Sequence, residues 1–201
     1  RDFEIHVDLV VEPGAETRAD ELTGRLVGPL ERYLFSRDER PIEELVLDLF
    51  RAAGLTLGSA ESCTGGMVAE RLTSIPGSSD VFVGAVVAYS DDVKARELGV
   101  PQEVLERHGA VSAETAAAMA GGARERLGAE VAVAVTGIAG PGGGSDEKPV
   151  GLVFLYAEGP AGSRSADFVF PGDRGSVRRR AAVTALHLLR RLLEQTRDES
   201  A

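Results

Sequence analysis

Cysteine is nearly missing. Cys63 is the only one in 201 residues, which excludes an internal disulfide and most zinc clusters. A reducing cytoplasm is the expected setting. No apolar run approaches the ~20 residues that span a bilayer, so a membrane is not an expected partner. Excess positive charge is lacking too: the formal net charge is −10. No sustained basic face offsets it, which argues against nucleic acid and anionic membranes. The local exception, Arg178-Arg179-Arg180 shortly after Arg174, suffices for one small anion. Internal repeats and low-complexity segments are absent. The sequence offers no clear cage for a metal, and no cofactor is expected. No secretory signal is read at the start, because Arg1-Asp2-Phe3-Glu4-Ile5 reads as a strand. A chain that opens on arginine is expected to be a piece of a longer polypeptide.

What is present suits one ordinary globular core with a small appendage: 43% of residues are hydrophobic and 27% charged. Residues 3–11 alternate as a half-buried strand does, and Pro13-Gly14 breaks the pattern. Leu22, Leu26, Leu30 and Leu34 then mark one face of a helix over 16–34. With the exit linker 36–41, this β-α piece is read as the tail of a partial α+β linker module, residues 1–38, ahead of a domain over 39–201. Pro41 suits a first helical position, and Leu45, Leu49 and Ala52 continue an apolar stripe to Gly54. Continuously apolar segments at 55–59, 81–88, 131–135 and 150–156 read as strands covered on both faces. Between them Ser112 caps a helix over 113–127, with Glu114 in its first turn. A last helix over about 175–195 sets Val177, Ala181, Leu188, Leu189 and Leu192 largely on one side. The expected fold class is α/β, with three α/β/α layers around a mostly parallel sheet.

Four stretches carry chemistry. In Ala60-Glu61-Ser62-Cys63-Thr64-Gly65-Gly66 a buried strand ends and a helix starts, where unpaired N–H groups and glycines admit an anion. The alternative is an ordinary cap and tight turn. Cys63 reads as a small buried filler, since no histidine is sequence-local to activate it. The second stretch is Ile75-Pro76-Gly77-Ser78-Ser79, followed by a strand ending in Tyr89-Ser90-Asp91-Asp92-Val93-Lys94. With Ser90 as cap, Tyr89 and Lys94 take the two positions that meet in a hydrophobic staple. Burial there disfavours an ammonium ion, which makes Lys94 a candidate general base for a serine brought nearby. The alternative is a turn serine and a surface lysine paired with Asp91. Third is the glycine-rich loop 135–145, running on through Asp146-Glu147-Lys148-Pro149. Ordering so many glycines is entropically unfavourable, so substrate contact is expected, although the loop lacks both nucleotide-loop spacings. Last comes Phe170-Pro171-Gly172-Asp173-Arg174. An arginine near a helix start can clasp phosphate bidentately, and a solvated basic turn is the alternative.

Taken in order, Ala60–Gly66, Pro76–Ser79, Tyr89–Lys94, His108–Ser112, Thr136–Pro141, Lys148–Gly151 and Gly172–Arg174 resemble the CinA C-terminal domain family, which includes nicotinamide-nucleotide amidases. The resemblance covers roughly residues 42–195. It implies hydrolysis of the carboxamide of nicotinamide mononucleotide to nicotinate mononucleotide and ammonia, without metal or cofactor. By the same resemblance Ser79 is the nucleophile, Lys94 its base and Tyr89 an orienting or proton-relaying group. Ser62, Thr64 and Gly65, with Thr136, Gly137, Ala139 and Gly140, would line the substrate pocket, and Arg174 would hold the phosphate. A homo-oligomer, a dimer first, is implied. So is a linker module that joins this domain to an N-terminal domain carrying a separate activity. One departure stands out: the family commonly has Asn where this chain has Asp91, which changes a hydrogen-bonding role and could weaken turnover. The competing reading is a non-catalytic module that binds a pyridine nucleotide or mediates oligomerisation.

Overall fold

The computed structural model describes residues 4–5, 7–31, 34–38, 40–160 and 162–198. In chain order its elements are α1 (Glu16–Leu30), α2 (Ile42–Ala53), β1 (Leu57–Glu61), α3 (Met67–Thr73), a 3-10 turn (Ser78–Asp80), β2 (Phe82–Val87), α4 (Asp91–Leu98), α5 (Gln102–His108), α6 (Ala113–Leu127), β3 (Val131–Gly137), β4 (Leu152–Gly159), β5 (Gly162–Val169) and α7 (Arg174–Asp198). The sheet order is β2-β1-β3-β4-β5. Strand β1 runs parallel to both β2 and β3, while β4 is antiparallel to β3 and β5 to β4. Four of the five strands therefore point the same way. Helices α2, α3 and α7 cover one face and α4, α5 and α6 the other, each over its own apolar cluster. The three-layer α/β/α expectation holds.

Local chemistry explains most boundaries. Ser112 caps α6 by accepting the Thr115 N–H at 3.1 Å, and Ser90 accepts the Val93 N–H at the start of α4. Gly54 closes α2 in the left-handed conformation. Gly122 lets α4 end hard against α6, because a Cβ there would sit 1.8 Å from the Leu98 carbonyl oxygen. On the other face Arg71 of α3 pairs with the buried Glu43 of α2. All five residues expected on the inner side of α7 are buried.

Several expectations need correction. On α2 the buried apolar residues are Ile42, Val46, Leu47 and Phe50, whereas Leu45 and Leu49 are only half-buried and Ala52 is exposed. Two parallel apolar stripes run along that helix, and packing against α7 selects the one that begins at Ile42. The alternating segment near the start forms no strand at residues 4–5 or 7–12, and Ile5 and Val10 are 90% and 97% exposed. Alternation makes a strand only where an edge is offered, and none of the described strands pairs with it. Phe3 and His6 of that segment lie outside the described residues. Helix α1 stops at Leu30, short of Leu34, and buries none of its residues. Strand β5 was missed because Gly-Ser-Arg-Ser-Ala-Asp is polar. It is an edge strand, and few of its side chains turn inward.

Candidate active site

The C-terminal ends of β1, β2 and β3 lie side by side. The Ala88 N–H donates to the Glu61 carbonyl at 2.8 Å and the Ser62 N–H to the Val135 carbonyl at 2.9 Å. Residues 62–66, 88–94 and 136–140 therefore leave the sheet at one level, the edge at which open α/β sheets carry their ligands.

The turn after β1 is built on Glu61. This glutamate is 0% exposed, and its carboxylate accepts the N–H groups of Gly66, Val68 and Ala69 at 2.9, 3.0 and 2.9 Å. The orphan donors at the start of α3, read from sequence as an anion site, are thus taken by the protein's own carboxylate. Gly66 supplies the left-handed cap, with φ of 92°, that brings its N–H round to Glu61. From above, Arg178 donates to the Cys63 and Thr64 carbonyls at 3.1 and 2.7 Å. The turn is clamped from both sides, and Ser62 sits inside it, 8% exposed. The Thr64 hydroxyl is fully buried and has no hydrogen-bond partner among the described residues, while Gly65 is exposed. Cys63 is buried as expected, and burial pushes its thiol up to about 12, where it is no nucleophile at neutral pH.

Lys94 is the unusual group. It is 1% exposed, and the partners of its Nζ are the Tyr89 carbonyl and the Asp91 carboxylate, each at 3.5 Å. Both contacts are at the outer limit of a hydrogen bond, so this amine is desolvated and only loosely held. The expected meeting of phenol and amine does not occur. Tyr89 is 59% exposed, and its hydroxyl accepts from Arg174 at 2.6 Å. Only its backbone carbonyl reaches Lys94.

Arg174 also donates to the Gly140 carbonyl at 2.9 Å, so it bridges the β2–α4 junction, the glycine-rich loop and the start of α7. That loop is held by side chains whose anchoring role the sequence did not show. Lys148 donates to the His108 and Val111 carbonyls, each at 2.7 Å. Thr136, fully buried, donates its hydroxyl to the Ala110 carbonyl at 2.6 Å. Its side chain is therefore structural, which corrects the expectation that it lines an open pocket. Gly137 is half-buried, and Ala139 and Gly140 are buried.

Ser79 does not join this group. Strand β2 has six residues, about 20 Å at strand rise, and the turn that holds Ser79 precedes it while Lys94 follows it. The turn is fixed at the opposite end of the sheet, with Arg51 donating to the Gly77 carbonyl at 2.8 Å and the Leu57 N–H to the Val81 carbonyl at 2.9 Å. Ser79 is exposed, and the buried serine of the pair is Ser78. Within one chain, a Ser79–Lys94 couple is excluded by the length of the strand between them. The serines at the level of Lys94 are Ser62 and Ser90, and the Ser90 hydroxyl is taken up in capping α4. The sequence signal of Ser62 is the run Glu61-Ser62-Cys63 at the exit of a buried strand, and Glu61, Arg178 and Lys148 gave no local signal of what they hold.

The family model described as the CinA C-terminal domain matches residues 39–193. A CinA-like protein of Mycolicibacterium paratuberculosis is 48% identical over 195 residues, covering 94% of this chain and 44% of that protein. Another from Geobacter metallireducens is 49% identical over 184 residues, covering 92% and 43%. The chain thus spans under half the length of these relatives. Among solved structures, the competence/damage inducible protein CihA of Agrobacterium tumefaciens superposes with a TM-score of 0.73 at 45% identity, covering 79% of this chain and 99% of that one. A CinA superfamily protein of Escherichia coli gives 0.72 at 37% identity, covering 79% and 94%.

Proposed function

The chain belongs to the CinA C-terminal domain family, and from that premise we propose that it is an amidohydrolase that converts nicotinamide mononucleotide to nicotinate mononucleotide and ammonia, with Ser62 as nucleophile and Lys94 as general base. The observation that carries this reading is the buried amine of Lys94, held by contacts no shorter than 3.5 Å, at the sheet edge where Ser62 leaves β1. A lysine stripped of water and weakly paired is unfavourable to keep for stability alone, and such groups concentrate at functional sites.

Amides resist hydrolysis because the carbonyl is a weak electrophile and the amine a poor leaving group. In the proposed reaction the Lys94 amine takes the Ser62 proton as the serine oxygen bonds to the carboxamide carbon. Peptide N–H donors near the turn stabilise the oxyanion, though those of Gly66, Val68 and Ala69 are held by Glu61. The C–N bond then breaks, and the ammonium form of Lys94 returns its proton so that ammonia departs. Water attacks the resulting nicotinoyl ester with Lys94 again as base, freeing the carboxylate and Ser62. Arg174, exposed beside the glycine-rich loop, is the proposed phosphate ligand, since Arg178 is committed to the turn. Tyr89 orients the site through its carbonyl on Lys94 and its hydroxyl on Arg174, rather than relaying a proton.

The test is ammonia release from nicotinamide mononucleotide by wild-type, Ser62→Ala, Lys94→Ala and Ser79→Ala proteins. Loss of about 10³-fold or more is expected for the first two variants. Near wild-type turnover by Ser62→Ala would remove it from the role. The non-catalytic reading is favoured by the Asp91 carboxylate 3.5 Å from the Lys94 Nζ, a partner that competes with Ser62 for the amine. Tight substrate binding with no ammonia from the wild-type chain would establish that reading instead.

A further inference from the structure

Turning a carboxamide into a carboxylate hardly alters its shape, since an NH2 group gives way to an oxygen in the same plane. Shape therefore cannot tell such a substrate from its product, whereas charge can. The site carries two features that draw anions. One is the amine of Lys94, 1% exposed. The other is the start of α4, where the helix dipole favours negative charge. A carboxylate formed beside them would gain charge-assisted hydrogen bonds that a neutral carboxamide lacks. Unopposed, these features would hold the product more tightly than the substrate, and its release would limit turnover.

Asp91 meets both features. It is the first residue of α4, and its Oδ1 lies 3.5 Å from the Lys94 Nζ while its side chain is 59% exposed. The other acids close by are placed differently. The Glu61 carboxylate is buried and accepts three peptide N–H groups. Asp92 is exposed, and among the described residues Lys94 forms its ion pair with Asp91, not with Asp92. Tyr89 gives Lys94 its carbonyl, and its hydroxyl accepts from Arg174.

We propose that Asp91 is the residue by which the site tells substrate from product, its carboxylate weakening the binding of nicotinate mononucleotide and not that of nicotinamide mononucleotide. This rests on the amidase reading above, in which the product carboxylate forms on the carbon that Ser62 attacks beside Lys94. A carboxamide can share the amine with Asp91, because its own NH2 group donates to the Asp91 carboxylate. A carboxylate offers no donor, so two anions then face one amine. At 3.5 Å the Asp91 contact is too long to withhold the amine from a serine hydroxyl, yet it sets a like charge against an anion that approaches the same amine. Discrimination of this kind comes from a repulsive group aimed at the unwanted ligand.

The test is calorimetric binding of both nucleotides, at one pH and one salt concentration, to the 201-residue chain carrying Ser62→Ala, with and without Asp91→Asn. With Asp91 in place, nicotinate mononucleotide is expected to bind more weakly than nicotinamide mononucleotide. Asp91→Asn should tighten nicotinate mononucleotide about fivefold, the upper end for a charge pair with one partner in solvent. Its amide oxygen still accepts from the carboxamide NH2, so nicotinamide mononucleotide should move less than about twofold. Asp92→Asn removes the same charge from the same turn and should change neither ligand by more than about twofold. An unchanged ratio of the two affinities in Asp91→Asn, or an equal change in Asp92→Asn, overturns the proposal. Ammonia release by the wild-type chain is scored separately. Selective tightening without ammonia release keeps Asp91 as the group that separates acid from amide and removes the amidase reading, while ammonia release with an unchanged ratio does the reverse.

Discussion

Replacing Glu61 tests whether the turn that holds Ser62 is built as described. The carboxylate is fully buried and satisfies three peptide donors at 2.9–3.0 Å, with the Ser59 hydroxyl at a longer 3.4 Å. A hydrogen bond to a charged group contributes about 1.5–3 kcal/mol, and the three here share one acceptor, so they do not add. Glu61→Ala leaves three buried donors without a partner and is expected to destabilise by about 4 kcal/mol, in the range for breaking a buried charged network. In a chain of this size that lowers Tm by roughly 8–16 °C. Glu61→Gln keeps the shape. Its amide oxygen can retain Gly66 and Val68, but its NH2 group then faces the Ala69 N–H, donor against donor. A loss of about 2 kcal/mol follows, or roughly 4–8 °C. Thermal and urea melts of both variants give the comparison, with ammonia release as a second readout because Ser62 rides on the same turn. If both variants melt within about 0.5 kcal/mol of wild type, as neutral surface changes do, or if Gln is worse than Ala, Glu61 is not the anchor of this turn.

Other outcomes follow from the same contacts. Burial pushes the Cys63 thiol from 9.0 up to about 12; a disulfide reagent at pH 8 should leave the native chain unmodified and label it on unfolding. The same shift contributes stability that is complete below pH 9.0 and is lost as pH rises towards 12, and urea melts across that window should show the decline vanish in Cys63→Ala. Arg178→Lys should rescue little of the defect of Arg178→Ala in melting or turnover, because one ammonium cannot reproduce the two-pronged grip on the Cys63 and Thr64 carbonyls. Lys148→Met removes two charged hydrogen bonds at 2.7 Å, worth about 2–4 kcal/mol together. Limited proteolysis should then cut within exposed residues 141–147 faster than in wild type, and equal cutting rates would show that Lys148 does not pin the loop.

The elements most legible in the sequence were those whose signal is local. Ser112 and Ser90 announce their helices because a cap needs only an oxygen within three residues. The strands β1 and β3 read as apolar runs because both of their faces are covered. Strand β5 and the bare early segment failed for one reason: whether a polar or alternating run becomes a strand depends on a neighbouring edge, which periodicity does not contain. At the site, the neighbourhood of Tyr89, Lys94 and the glycine loop was legible, since each follows an apolar strand. Ser79, named as nucleophile by the family resemblance, lies in the same chain across the length of β2 from Lys94, a separation that the sequence does not reveal.

Sequence alone determined the caps, the buried strands, the three-layer class and the family, because each depends on residue type and short-range spacing. Only the tertiary structure decided which serine stands level with the buried lysine, that Glu61 rather than a ligand fills the start of α3, and that β2 is left as an open edge. Those outcomes depend on strand order and direction. Parallel neighbours align their exits at one end of the sheet, whatever distance along the chain separates them.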